Sequence, residues 1–423
     1  MSTEIPGLHP LTTPIATRRV SNLYLAGLGI AQFGIFIAIL SPIFVSMQLK
    51  AQELNPGDPA SIIGTVLPIG ALGALISNPL FGALSDRTRS RWGRRRPWLL
   101  GGIVALAIGL GLVAGSTNVL EITLAWLLCQ VASNAASAAL IASFADNVPI
   151  EQRGRASSVV AIAQNVSILA GIYLAVYLVG NLPVLFLAPG VLGVLCIVVY
   201  VFVAKDVLPT NPVKPFTFIN IVSSFWTNPV KNPDFAFAWW SRFLITFSSF
   251  MFTTYRLLYM EDRLGLSSAK AVGAVALGVL LYTIALLISS LISGYLSDRL
   301  RRRKIFVAGS TFLFAIGLIV LAHSSTLGVF YTAEIVMGFA YGIYTAVDTA
   351  LVVDVLPNAD RPGKDLGVIN IANALPQSLA PAVGLILLKV GSAAGDNYTA
   401  LIWGAGIASI LGALVVIPIK RVR

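Results

Sequence analysis

The chain has 423 residues, 57% of them hydrophobic and only 11% charged, whereas a soluble domain carries roughly 25% charged residues, so a soluble globule is excluded. Its net charge is +11, but the basic residues fall in short gaps between apolar runs of about 20 or more residues, the length that crosses a bilayer. They report membrane topology, not a nucleic-acid surface.

Residues 1–19 are polar and end in Arg18 and Arg19. The run that follows is too long for a signal-peptide core and has no small-residue cleavage site after it, so it is expected to stay in the protein as helix 1. Apolar runs fall near 20–48, 60–84, 97–117, 119–146, 154–180, 182–204, 234–260, 268–296, 303–322, 326–353, 365–390 and 397–419, which predicts twelve membrane helices. With the N terminus in the cytoplasm, the gaps on that side hold most of the arginines, six of them in the 85–96 loop. The opposite gaps keep only Lys50, Arg263, Lys270 and Lys389, so the positive-inside rule places both termini in the cytoplasm of a cell carrying the protein in its inner or plasma membrane. Cys129 and Cys196 lie inside apolar runs and read as small buried residues, not a disulfide framework.

Midway, the segment from Lys205 to Pro233 contains Pro209, Pro212, Pro215 and Pro229 and breaks the helical pattern. The sequence repeats across this break. Leu-Ser-Asp-Arg stands at 84–87 and again at 296–299, and Asp146 to Pro149 with Arg153 and Gly154 returns as Asp354 to Pro357 with Arg361 and Gly363. The expected fold is an all-α membrane protein of twelve transmembrane helices in two pseudo-symmetric halves, 1–204 and 234–423, joined by a cytoplasmic linker at 205–233.

The loop Ser85-Asp86-Arg87-Thr88, Ser90-Arg91-Trp92-Gly93 and Arg96-Pro97-Trp98 resembles the signature of the glycoside-pentoside-hexuronide:cation symporters of the major facilitator superfamily. Helix 1, with Ala31-Gln32-Phe33-Gly34 and Ser41-Pro42, and helix 11, with Gly367 to Ala372 and Pro376-Gln377, are similar to those of sucrose:proton symporters and their animal relatives. The resemblance implies the major facilitator fold, alternating access, and a substrate site between the halves near the midplane. Two departures bear on coupling and substrate. Helix 2 has no acidic residue between Ser61 and Ser85, where melibiose-type carriers build a sodium site, so the expected coupling ion is a proton. Helix 4 reads Ser143-Phe144-Ala145-Asp146, without the arginine that plant sucrose carriers place before their Ala-Asp, so sucrose is one candidate among small glycosides.

Asp86 and Asp298 sit at the C-terminal ends of helices 2 and 8, where the macrodipole disfavours a carboxylate, and each needs a partner from outside its own helix. By the resemblance that partner is the N terminus of helix 11 for Asp86 and, by the repeat, that of helix 5 for Asp298. The two would latch the cytoplasmic side shut. Asp146 and Asp354 fit the same network, neutralised by arginines of the neighbouring loops, and Arg87, Arg91, Arg153, Arg299 and Arg361 complete the candidate gate.

For the substrate, the candidates are the amides Gln32 of helix 1, Gln130 and Asn134 of helix 4, Asn165 of helix 5, and Asn370 and Gln377 of helix 11, with the rings of Phe36 and Tyr341. Buried amides need partners, which either sugar hydroxyls or other helices can supply, and rings can cover a pyranose face or simply pack. No metal-ligand cluster, phosphate-binding glycine loop or nucleophile with a base occurs at usable spacing, so neither an enzyme nor a cofactor is expected.

Four further charges lie within membrane runs and are not duplicated by the repeat. Arg242 and Arg256 stand 14 residues apart on helix 7, and Glu334 and Asp348 stand 14 apart on helix 10, a spacing that returns to within about 40° of one face. Helix 7 runs outward and helix 10 inward, so matching depth pairs Arg242 with Asp348 and Arg256 with Glu334. Unpaired charges in hydrocarbon are costly, and these four are the candidates for proton coupling. The expected function is proton-coupled uptake of a small glycoside or other sugar by a carrier working as a monomer in the lipid bilayer. The alternatives are an export antiporter, disfavoured by the absence of proline from helix 5, and a non-transporting sugar sensor, disfavoured by a chain that stops at Arg423 just past helix 12.

Overall fold

A computed structural model describes residues 19–204, 206, 227–300, 302–357, 362–391, 396–420 and 422, without the side chains of residue 150, residue 298, 362–364 and 366–367. Twelve long helices fill it: α1 Asn22–Leu54, α2 Pro59–Arg87, α3 Arg96–Gly115, α4 Val119–Asn147, α5 Ile150–Leu178, α6 Leu182–Val203, α7 Pro233–Asp262, α8 Ser268–Leu300, α9 Arg303–Ala322, α10 Leu327–Asp354, α11 Pro362–Leu388 and α12 Tyr398–Val416. Eleven of them contain a stretch long and apolar enough to cross a membrane. The exception is α7, whose hydropathy is lowered by Asp234, Arg242, Arg256, Glu261 and Asp262.

Local chemistry fixes the helix starts. At the end of the bundle opposite the arginine-rich loops, Asp58, Asn118, Asn181, Thr326 and Asn397 each accept a hydrogen bond from a first-turn N–H of α2, α4, α6, α10 and α12, which satisfies a donor the helix leaves open. At the arginine-rich end the N terminus of α3 is capped from a distance, by Asp206 just beyond α6. Helix α1 extends past the expected limit of 48. Pro42 has no N–H to donate, and the helix absorbs it in a π turn over Pro42–Ser46 before continuing as Met47–Leu54.

The same five packings recur in each set of six helices. In the first, α1 packs on α5 and α6, α4 on α2 and α3, and α3 on α6; in the second, α7 packs on α11 and α12, α10 on α8 and α9, and α9 on α12. Between the sets, α2 meets α11 and α5 meets α8. The tightest approach belongs to α10 on α8, where a Cβ on Gly338 or Gly342 would overlap the backbone carbonyls of Tyr282 and Leu286. Small residues four apart let two membrane helices touch along their backbones.

Candidate functional site

The intramembrane charges meet as depth predicts. Arg242 Nε donates to Asp348 Oδ2 at 2.7 Å, and its Nη2 contacts the same oxygen. Both donors therefore fall on one carboxylate oxygen. Asp348 Oδ1 has no hydrogen-bond partner among the described residues. Deeper toward the opposite end, Arg256 Nη1 donates to Glu334 Oε1 at 3.2 Å, while Arg256 Nε is buried without a partner among the described residues. Both carboxylates are 1% exposed and Arg256 5%, while the Arg242 side chain keeps 13% of its surface open. Tyr341 sits between them in a ring cluster, its centroid 6.3 Å from Tyr282, 6.0 Å from Phe314 and 5.7 Å from Tyr344.

The arginine-rich end holds a second electrostatic system, and it uses arginines that the sequence alone did not single out. Arg95, 4% exposed, reaches Asp86 Oδ1 at 2.6 Å, Asp146 Oδ2 at 3.0 Å and Ser85 Oγ at 2.6 Å. Arg94 takes the other oxygen of Asp146 at 2.6 Å. Arg96 donates to the carbonyl of Ala204 at 2.8 Å. The second half repeats the device, with Arg303 on Asp354 and Lys304 donating to the carbonyl of Ile419 at 3.0 Å. Arg95 and Asp146 are 51 residues apart, as are Arg303 and Asp354, and that equal separation was the readable signal for Arg95.

The arginines named from the loops have other contacts. Arg87 Nη1 donates to Ala83 O at 3.1 Å, Arg153 Nε donates to Val148 O at 3.4 Å, and Arg91 and Arg299 are exposed. The Asp298 side chain and Arg361 lie outside the described residues.

The amide candidates divide by what they already bind. Asn134 is engaged at both ends, accepting from Asn78 Nδ2 at 2.9 Å across α2 and α4 and donating to Gln130 O, so its contribution is helix pairing. Asn165 donates to Ala161 O within its own helix. Gln32 and Gln130 are buried, and Phe36 packs against the apolar core. Asn370 and Gln377 are exposed on α11, with Gln377 Nε2 donating to Asn373 O at 3.2 Å. Phe33 belongs to a different surface, an apolar crevice of about 510 Å³ formed with Ile30, Ile162, Val166 and Cys196. Its lining is apolar except for the Cys196 thiol, and it suits sugar hydroxyls poorly. A ladder of rings on α7 escaped the sequence reading: Phe243 stacks on Trp239 at 5.4 Å and on Phe247 at 5.9 Å. The four-residue aromatic spacing was its signal. Among the described residues, no group of three His, Cys, Asp or Glu side chains could hold a metal ion.

The two halves are tied at the end opposite the arginine-rich loops. Gln48 Oε1 of α1 accepts from the backbone N–H of Leu257 at 3.0 Å, and one turn on, Gln52 donates to Glu261. Lys389, just beyond α11, contacts Asp58 at 3.0 Å and Asp396 at 2.8 Å. Partial burial acts to lower the pKa of this ammonium, but its hydrogen bonds to Asp396 and Asp58 raise it overall. Beneath them α2 and α11 touch closely, since a Cβ on Gly64 would lie 2.6 Å from Leu385 Cβ.

A family model described as Major Facilitator Superfamily matches residues 23–285 and 272–423. An uncharacterized symporter of Synechocystis sp. is 56% identical over 52 residues, 12% of this chain and 10% of that protein. A sucrose transport protein of Arabidopsis thaliana is 29% identical over 120 residues, 28% of this chain and 22% of that protein. The chain thus spans less than a quarter of the length of either relative. A crystal structure of a mutant of the nucleoside transporter NupG superposes with a TM-score of 0.76 over 94% of this chain and 100% of the other at 13% identity, a likeness of fold.

Proposed function

The chain belongs to the major facilitator superfamily, and from that premise we propose that it is a proton-coupled carrier taking up a small glycoside by alternating access. It is a multi-pass membrane transporter, not an enzyme. The arginine-rich end is assigned to the cytoplasm by the positive-inside rule, with both termini on that side of the inner or plasma membrane and the monomer as the working unit. The tied end is then extracellular, and the conformation is one in which the outer gate is shut. Local similarity to a sucrose transport protein supports the sugar.

The observation that carries the coupling is the Arg242–Asp348 pair, with both guanidinium donors on Oδ2 and Oδ1 left without a partner among the described residues. A proton added at Oδ1 neutralises the carboxylate, and Arg242 loses the charge that holds it to α10. A desolvated arginine without its counter-ion is unfavourable, so the helices shift until it is hydrated or paired again. Proton binding is thereby linked to a change in packing between α7 and α10. Glu334 with Arg256 makes the corresponding pair nearer the outer face.

The test is transport in proteoliposomes. Radiolabelled sucrose, lactose and melibiose are offered in counterflow, which requires no assumption about the ion, and exchange of at least one is expected. Exchange of none would overturn the glycoside. With an acid-outside pH step the same sugar should accumulate in the wild type and not in Asp348→Asn, while replacing sodium by choline leaves the initial rate unchanged. Accumulation by Asp348→Asn would remove that residue from the coupling role.

A further inference from the structure

The two charge pairs of the second half lie 14 residues apart along α10, about 21 Å at 1.5 Å per residue. That is several times the reach of a hydrogen bond. Between them lies a cluster of aromatic rings, three of them tyrosines. Tyr282 of α8 lies where α8 touches α10 at Gly338, its ring is 6.3 Å from that of Tyr341, and Tyr341 is 5.7 Å from Tyr344. Tyr344 in turn lies one turn before Asp348 on the same helix.

The hydroxyl of Tyr344, a residue 4% exposed, and Oδ1 of Asp348 are both buried and make no hydrogen bond of normal geometry among the described residues, although the hydroxyl interacts with that carboxylate. Arg256 Nε, at the other pair, is in the same condition. Polar atoms inside a protein are nearly always satisfied, and a buried site with two or more such atoms is one that water occupies. The other deeply buried tyrosines differ. Tyr200 shares a hydrogen bond with Ser143 at 2.8 Å, Tyr255 donates to Pro381 O at 2.6 Å and Tyr259 donates to Leu321 O at 3.1 Å.

We propose that Tyr344, Tyr341 and Tyr282 line a file of buried water that carries protons between the Asp348–Arg242 pair and the Glu334–Arg256 pair through the core of the second half. This rests on the coupling reading of Asp348 and extends it to a route. Each transfer is balanced: a water or phenol breaks one O–H bond toward the next carrier as it accepts a proton from the previous one, so no charge stays on a tyrosine. A proton taken up at Glu334 reaches Asp348 without entering the sugar's path between the halves.

Radiolytic hydroxyl-radical footprinting of the full-length protein in lipid nanodiscs tests the water directly, because a buried side chain is modified when water is held beside it. Tyr344 should be labelled several times faster than Tyr200, Tyr255 and Tyr259 in the same sample. Equal labelling would overturn the file. In proteoliposomes, Tyr344→Phe and Tyr282→Phe should each lower the ratio of pH-driven accumulation of radiolabelled sucrose to its counterflow. An unchanged ratio in both variants would remove the tyrosines from the route. The arms separate the two claims: if Asp348→Asn abolishes accumulation while Tyr344 labels no faster than the other tyrosines, the file fails and the coupling stands. If Tyr344 labels fast but Asp348→Asn still accumulates sugar, the water is present and the coupling reading fails, and with it the proton route.

Discussion

Arg242 and Asp348 show why a buried ion pair has to be judged by what happens when half of it is removed. Taking both charges out of water costs more than most pairs recover, but removing one partner strands the other at a cost of about 3–5 kcal/mol. Arg242→Gln should therefore lower the thermal unfolding midpoint in detergent more than the double variant Arg242→Gln with Asp348→Asn. If the double variant melts lower than the single, the two side chains are not each other's principal partners. The pairing itself was legible in the sequence, because 14-residue spacing fixes the face and opposite helix directions fix the depth. The asymmetric use of Asp348, with both Arg242 donors on one oxygen and no normal hydrogen bond to the other among the described residues, was not, since it depends on how far α7 stands from α10. Asn134 shows the same limit: an amide on a membrane helix has the same sequence signature whether it serves a sugar or a neighbouring helix, and here it accepts from Asn78.

Among the elements, α3 begins without a side-chain cap of its own and receives one from elsewhere. Asp206 Oδ2 accepts from the backbone N–H groups of Arg95 and Arg96 at 2.7 and 2.9 Å, placing a carboxylate at a helix N terminus, where the macrodipole favours it. The same contact holds Arg95 in position to reach Asp86 and Asp146. Asp206→Ala should cost about 1 kcal/mol, the usual value of a lost cap, and Asp206→Asn less, since an amide oxygen still accepts; scanning calorimetry or fluorimetry reads the order. Equal loss in both would mean that charge, not the hydrogen bond, is what α3 requires. No pattern in the sequence links residue 206 to the 95–96 backbone, because the cap joins chain segments more than a hundred residues apart. By contrast, the twelve helices were legible from apolar run length, with α7 the weakest by hydropathy because it carries five charged side chains.

At the scale of the whole molecule, the halves are joined at one end by Gln48, Gln52, Lys389 and the close contact at Gly64, while Asp86 at the other end is 53% exposed and bound to Arg95 of its own half. A carrier that alternates must break the first set and form new contacts at the second. In the latch reading, Asp86 faces the N terminus of α11 once the cytoplasmic side closes, so Asp86→Asn should shift the population toward the arrangement described here. Double electron-electron resonance between spin labels on the arginine-rich ends of α2 and α11 should then report longer distances. Unchanged distances would remove the latch.

The sequence by itself determined the number of the helices, the twofold repeat and the pairing of the four intramembrane charges. These follow from quantities local to the chain: run length against bilayer thickness, motifs that recur at matching places, and angular position on a helix. Tertiary structure alone decided that Arg94 and Arg95 bind Asp86 and Asp146, that Asp206 caps α3, which end is tied, and which buried polar atoms have no partner among the described residues. Each of those depends on distances between helices that are remote in the chain. The same side chain can meet a neighbour, a substrate or solvent with no change in the sequence around it, and only packing selects among them.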